Sequence, residues 1–287
     1  MGVEIELKRI GVVGAGTMGS GIAQIAAQTG FDVVMRDIEE SFVQSGLSKI
    51  EKNLSKAVEK GKMNLEEKAS VQSRVKGTLL LDDLAEVDVV IEAVIEDRKT
   101  KKNVLSSLDA ICRPSTILAS NTSSIPITEL AAATKRPDRV IGMHFVNPVQ
   151  VMKLVEIIRA IQTSKETNEI VMSLAMRLGK TPVEVNDFPG FALNRILVPM
   201  INEAAYCLME GVASAETIDQ VMKLGANHPM GPLELGDLVG LDVCLSIMEV
   251  LYTEYGDSKY RPCPLLRRYV QAGRLGRKTG RGFHIYQ

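Results

Sequence analysis

The run Gly14-Ala15-Gly16-Thr17-Met18-Gly19 follows the apolar segment Arg9-Ile10-Gly11-Val12-Val13 and opens a helical stretch rich in small residues. No other feature constrains the chain as much. Gly14 makes a tight turn after a strand, Gly16 lets a pyrophosphate approach the backbone, and Gly19 lets the helix pack close to the strand. The helix start offers unpaired N–H groups and the positive end of its dipole to phosphates. Asp37 ends the next apolar run, 18 residues after Gly19, where a carboxylate meets an adenosine ribose diol. Strand, glycine turn, helix and acid together predict a dinucleotide site, whereas a glycine-rich turn alone does not. Arg36 beside Asp37 raises a second question, because a guanidinium suits a 2′-phosphate and a carboxylate repels one. We read the cofactor as NAD and leave NADP open.

With 287 residues, the chain is long enough for one large domain or two smaller ones. The first half alternates apolar runs with helical patterns, the signature of a parallel sheet covered by helices. Strands are expected at 9–13, 32–36, 88–94, 116–120, 139–145 and 153–159. Between the second and third lies a helical hairpin of about 41–75. Val43, Leu47, Ile50, Leu54 and Val58 recur at helical spacing, Gly61 ends the first helix, and Asn64 caps a second that carries Glu66 and Glu67 in its first turn. Beyond Asp187-Phe188-Pro189-Gly190 only helical patterns remain, near 191–208, 215–224 and 232–254. The expectation is an α/β, Rossmann-type, mostly parallel sheet domain over 1–187 with a projecting helical hairpin, followed by an all-α domain over 188–287. Leu208-Met209 and the Leu241–Leu251 stripe read as core or as a dimer surface.

The residue mix, 45% hydrophobic and 24% charged, fits a soluble globule. A net charge of −1 argues against nucleic acid or a membrane surface as main partner. No apolar run is of bilayer length. The start, Met1-Gly2-Val3-Glu4-Ile5-Glu6, has neither the pattern of a secretory leader nor the Ser or Thr of a myristoylation signal, so a cytoplasmic location is expected. Cys112, Cys207, Cys244 and Cys263 are widely spaced, with no zinc pattern, and read as reduced structural thiols. No metal site is expected.

His144 ends a predicted strand, on the side where open α/β sheets place ligands. If the segments before and after Gln150 pair as antiparallel strands, His144 and Glu156 face each other, each six residues from the centre. A carboxylate so placed fixes the imidazole tautomer and stabilises the imidazolium formed on taking a proton; a buried histidine bonded for structure alone is the plainer alternative. The polar block Ala119-Ser120-Asn121-Thr122-Ser123-Ser124 follows another strand at the same end of the sheet, either as helix cap or as part of a site. Asn194, early in an apolar helix, is a buried structural amide or a group pointing into a cleft. His228 and His284 read as structural or surface residues.

These blocks, with Met152-Lys153-Leu154-Val155-Glu156, Pro189-Gly190-Phe191, Asn194-Arg195, Gly225-Ala226-Asn227-His228-Pro229-Met230-Gly231-Pro232 and Gly276-Arg277-Lys278-Thr279-Gly280, resemble the L-3-hydroxyacyl-CoA dehydrogenases, most closely the bacterial 3-hydroxybutyryl-CoA type. The resemblance covers essentially the whole chain. It implies hydride transfer between NAD(H) and C3 of a short acyl-CoA in butanoate or fatty-acid metabolism. It makes His144 the acid/base and Glu156 its partner, and sets Ser123 and Asn194 around the reacting carbon. It adds cofactor contacts at Glu96, Lys101, Ser123, Asn147 and Lys278, beside the glycine run and Asp37. It also places Asn53 and Lys60 of the hairpin near the acyl-CoA. Where one family variant has Phe-Phe after the histidine, this chain has Phe145-Val146, a change in a pocket wall. Lys49, Lys52, Lys56 and Lys60 fall on one helix face, a basic stripe suited to coenzyme A or simply a solvated face. A homodimer through the helical domain is expected. An L-gulonate-type dehydrogenase and a non-catalytic NAD-binding sensor on the same fold are the competing readings.

Overall fold

Ile10 to Val13 are all buried, as a strand covered by helices on both faces requires. This segment, β1 (Arg9–Val13), is a central strand in the computed structural model, which describes residues 7–286; the reading of residues 1–6 as free of a leader lies outside them. The chain divides into two units, Met1–Asp187 and Phe188–Gln287.

In the first unit, β1 is followed by α1 (Thr17–Gln28), β2 (Asp32–Arg36), α2 (Glu40–Glu59), α3 (Leu65–Ser73), β3 (Val75–Thr78), β4 (Val89–Glu92) and α4 (Arg98–Ile111). Then come β5 (Ile117–Ser120), α5 (Ile127–Ala131), β6 (Val140–Phe145), β7 (Leu154–Arg159), α6 (Lys165–Arg177) and β8 (Thr181–Asn186). The strands make one sheet in the order β3-β2-β1-β4-β5-β6-β7-β8. All neighbours are parallel except β6 and β7, which are antiparallel. The carboxyl ends of β1, β4, β5 and β6 therefore share one edge of the sheet.

Two strands lay outside the expectation. β3 has four residues and no fully buried position, so it carries no apolar run. β8 contains Pro182 and is half exposed along its length, as an edge strand tolerates. The helical hairpin is α2 and α3. Asn64 and Glu67 form a reciprocal capping box at the start of α3, worth about 1 kcal/mol by the usual cost of losing such a cap. The hairpin does not stand clear of the sheet domain: Val43, Gly46, Ile50 and Leu54 of α2 are buried, and Gly46 is so close to Ala15 that a Cβ there would lie 2.8 Å from its carbonyl oxygen.

The second unit is helical: α7 (Leu193–Met209), α8 (Ala215–Gly225), α9 (Pro232–Val239), α10 (Leu241–Tyr255) and α11 (Pro264–Gln271). The single helix expected over 232–254 is broken at Gly240, whose φ of 104° no helix accommodates. Leu238-Val239-Gly240-Leu241 carries the apolar pattern across the break, which hides it from periodicity. α11 was also unforeseen, being short and rich in Arg. Leu241, Cys244, Met248 and Leu251 are buried in the core of this unit, so the Leu241–Leu251 stripe is mainly core.

His284 is an internal anchor. Its Nε2 lies 2.7 Å from the carboxylate of buried Asp219, which also accepts from the N–H groups of Leu233 and Glu234 at the start of α9. Asp237 accepts from the N–H groups of Phe283 and His284 and from the Tyr286 hydroxyl. His284, read from the sequence as structural or surface, is thus held by a carboxylate 65 residues away. Among the described residues no helix is long and apolar enough to cross a membrane. No group of three or more His, Cys, Asp or Glu residues there could hold a metal ion.

Candidate active site

Gly14 has φ +105°, and a Cβ there would lie 2.5 Å from the carbonyl oxygen of Ala93. Only glycine allows β1 and the loop after β4 to come this close. A Cβ on Gly19 would lie 1.7 Å from the Gly14 carbonyl oxygen, whereas one on Gly16 would meet nothing within 4 Å. Gly19 thus serves packing, and Gly16 leaves room for a pyrophosphate. Asp37 accepts from the Ala15 N–H at 2.6 Å through one oxygen and from the Ile38 N–H through the other, which aims its carboxylate at the glycine turn. Arg36 instead donates to the Leu79 carbonyl at 3.1 Å. A cavity of about 490 Å³ is bounded by this turn, Asp37, Phe42, Lys49 and the loop after β4. Its glycine floor, ribose-facing acid and apolar wall fit a dinucleotide.

Further along the same sheet edge, β6 and β7 pair in a register that sets His144 opposite Glu156. Nδ1 of His144 is 2.8 Å from Oε2 of Glu156, and the two residues are 5% and 2% exposed. With Nδ1 facing the carboxylate, Nε2 is the ring atom turned away from Glu156. The loop after β5 is tied to this strand, because Asn121 Oδ1 accepts from the Phe145 N–H at 2.9 Å.

That loop is held by Glu96, whose Oε1 accepts from the Thr122 and Ser124 hydroxyls and from the N–H groups of Ser123 and Ser124. Burial pushes the Glu96 carboxyl up, but the Lys101 charge and these hydrogen bonds outweigh it and hold it below the usual carboxylate range. The Lys101 ammonium, 1% exposed, donates to buried Glu92 at 2.8 Å and lies 3.3 Å from Glu96. Glu92 also accepts from the Val94 N–H and the Ser120 hydroxyl. Thr122 Oγ1 accepts from the Ile125 N–H just before α5, and the Asp187 carboxylate caps α5 itself, accepting from the N–H groups of Ile127 and Thr128.

The family description "3-hydroxyacyl-CoA dehydrogenase, NAD binding domain" matches residues 9–188, and "3-hydroxyacyl-CoA dehydrogenase, C-terminal domain" matches residues 190–286. The chain belongs to the 3-hydroxyacyl-CoA dehydrogenases. A Bacillus subtilis (strain 168) protein named "Probable 3-hydroxybutyryl-CoA dehydrogenase" is 60% identical over 283 residues, 99% of either chain. The human mitochondrial hydroxyacyl-coenzyme A dehydrogenase is 42% identical, over 99% of this chain and 93% of its own. The crystal structure of (S)-3-hydroxybutyryl-CoA dehydrogenase from Ralstonia eutropha superposes with a TM-score of 0.95 at 53% identity, covering 98% of this chain and 100% of that one.

In this 3-hydroxyacyl-CoA dehydrogenase, His144 lies near the end of β6 and Glu156 opposite it near the start of β7; Glu96 and Ser123 lie in the loops after β4 and β5, and Lys101 in the first turn of α4. Asn147 is exposed in the turn after β6. Asn53 of α2 is exposed and donates to Gln24 of α1 at 3.1 Å; Lys60 is exposed at the end of α2. Asn194 is buried in the first turn of α7, and Lys278 pairs with both oxygens of Asp242, at 2.6 and 2.7 Å. Sequence reasoning named Asn121 only within its polar block and missed Glu92, Gln24 and Lys180. Gln24 and Lys180 meet Gln150 and Val149 far along the chain, and only the apolar neighbours of Glu92 hinted at its burial.

Proposed function

We propose that the protein is an NAD-dependent 3-hydroxybutyryl-CoA dehydrogenase that uses His144 as acid/base and Glu156 as its partner. The observation that carries the reading is the buried 2.8 Å contact between Nδ1 of His144 and Glu156, at the same sheet edge as the glycine turn. Bound NAD supplies the hydride acceptor. As the C3–H bond of the hydroxyacyl group gives up its electron pair as hydride, neutral His144 takes the hydroxyl proton on Nε2 and the C3 oxygen becomes a ketone. Glu156 stabilises the imidazolium that results. In the reverse direction the imidazolium returns that proton to the nascent alkoxide.

Ser123 and Asn194 are the remaining polar groups assigned to the reacting carbon. Ser123, Asn147 and Lys278 are assigned to the cofactor together with Glu96, and Lys101 serves that site through Glu96 and Val94, since its own ammonium is buried. Asn53 and Lys60 are assigned to coenzyme A. The Asp37 geometry and the engagement of Arg36 with Leu79 support NAD over NADP. The reading makes the enzyme a cytoplasmic homodimer. In support of a reducing compartment, all four cysteines are free thiols, and burial pushes Cys112 up to about 11 and Cys244 up to about 12.

The test is NADH oxidation with acetoacetyl-CoA, beside NAD reduction with a hydroxylated sugar acid as alternative substrate. Turnover on the thioester supports the reading. Turnover on the sugar acid alone, or cofactor binding with no turnover, overturns it.

A further inference from the structure

We propose that Lys180 is a positioning residue for this reaction: its ammonium fixes the turn between His144 and Glu156, and with it Asn147. The inference rests on the assignment of His144 and Asn147 given above. Lys180 directly precedes β8, is 9% exposed, and reaches across β7 into the turn. Its Nζ donates to the carbonyl of Val149 and, at 2.9 Å, to that of Met152. Two carbonyls three residues apart are thereby drawn onto one charge.

The opposite side of the turn rests on α1, the helix that opens at the glycine run. Val149 is 2% exposed and sits over Gly21, where a Cβ would lie 2.9 Å from the Val149 Cβ. Gln150 donates to Gln24 at 3.0 Å, and the same Gln24 oxygen receives Asn53 of α2. The turn is therefore clamped between the phosphate-facing helix and a buried cation, and Asn147 stands two residues before the clamped Val149.

A buried ammonium on neutral carbonyls is a poor source of stability. Burial holds the Lys180 pKa below the ordinary lysine range, and the charge of Lys153 adds to this; an apolar side chain of similar length would avoid that desolvation cost. What the cation provides is geometry, because charged N–H donors hold acceptors in shorter, stronger bonds than neutral ones do. Without it the turn keeps its anchors on α1 and the Thr181 N–H bond to the Lys153 carbonyl but loses both contacts to the ammonium, so the fold stands while the segment carrying Asn147 drifts.

Lys180→Met should weaken NADH binding, measured by fluorescence titration without turnover, and lower kcat, each by roughly tenfold or more, since displacements of about an ångström at a reacting centre cost up to 10²-fold. KM for acetoacetyl-CoA should change little. Lys180→Arg, which keeps a cation, should recover most of both losses. If Lys180→Met lowers only the melting temperature and leaves NADH affinity and kcat as in the parent at 20 °C, the role is structural and the proposal fails. Should the Met variant not fold, Lys180→Gln, which keeps a neutral donor, should show the same two losses in milder form; parental values there overturn the proposal as well. Failure of the functional reading would show separately, as absence of turnover in the parent enzyme, while the NADH titration needs no substrate.

Discussion

Glu96 joins the pH behaviour of the protein to its proposed site. Its carboxyl titrates below the ordinary value of 4.5 when folded and returns to that value on unfolding, so between the two values the unfolded chain binds the extra proton. The stability Glu96 contributes is therefore fully present above about pH 4.5 and is lost as pH falls through the lower folded value. Urea unfolding followed from about pH 6 down to pH 3 should show this acid limb, and Glu96→Gln should flatten it; an unchanged limb would assign it to other carboxylates. Lys101→Met should cost about 3 to 5 kcal/mol, the usual penalty for leaving a buried partner uncompensated, here Glu92. Adding Glu92→Gln to that variant should restore part of the loss, which the same denaturation series would measure. His144→Gln should lower kcat by roughly 10²- to 10⁴-fold, the usual worth of a positioned acid/base, with NADH affinity nearly unchanged; near-normal turnover would remove His144 from its role.

At the scale of elements, legibility in the sequence followed the physics of each signal. β1 and the β6–β7 pair were readable because burial on both faces writes continuous apolar runs, and because antiparallel pairing about a turn is arithmetic on residue numbers. α2 and α3 were readable through periodicity, Gly61 and the Asn64 cap. β3 and β8 were not, since edge strands need no apolar pattern, and the break at Gly240 was hidden by apolar residues on either side. The supports of the site were the least legible part. Glu96 on Ser123, Asn121 on Phe145 and Lys180 on the turn are long-range pairings that no local pattern encodes. α2 carries its own prediction. Lys56 and Lys60 are exposed, in a stripe beside the buried Ile50 and Leu54, and Lys49 of the same stripe borders the dinucleotide cavity. If this face meets the phosphates of coenzyme A, Lys56→Ala with Lys60→Ala raises KM for acetoacetyl-CoA, less so at high salt because exposed charges are screened. A truncated thioester lacking the nucleotide should be unaffected; equal losses on both substrates would reduce the stripe to a solvated face.

For the whole molecule, the helical unit leaves apolar side chains in water that a monomer has little reason to expose. Val221 and Leu224 of α8 are 60% and 78% exposed and three residues apart, hence on one face. Sedimentation at micromolar concentration should show a dimer, and Val221→Glu with Leu224→Glu should shift it toward monomer; a monomeric parent would contradict the expected assembly. The choice of cofactor also belongs to this scale, because kcat/KM with NADH against NADPH weighs Asp37 and Arg36 in the assembled enzyme. A higher value with NADPH would reverse the assignment.

The cap on α5 has a consequence for synthesis. Ile127 and Thr128 give their N–H groups to Asp187, 60 and 59 residues further on. A ribosome therefore completes the Ser123 loop and the short helix behind it well before the residue that closes that helix has been made. A nascent fragment ending short of Asp187 lacks the cap on α5. Amide exchange at Ile127 and Thr128 should be fast in such a fragment and slow once Asp187 is included, so the last residue of the sheet unit to be made is the one that closes a helix begun 60 residues earlier.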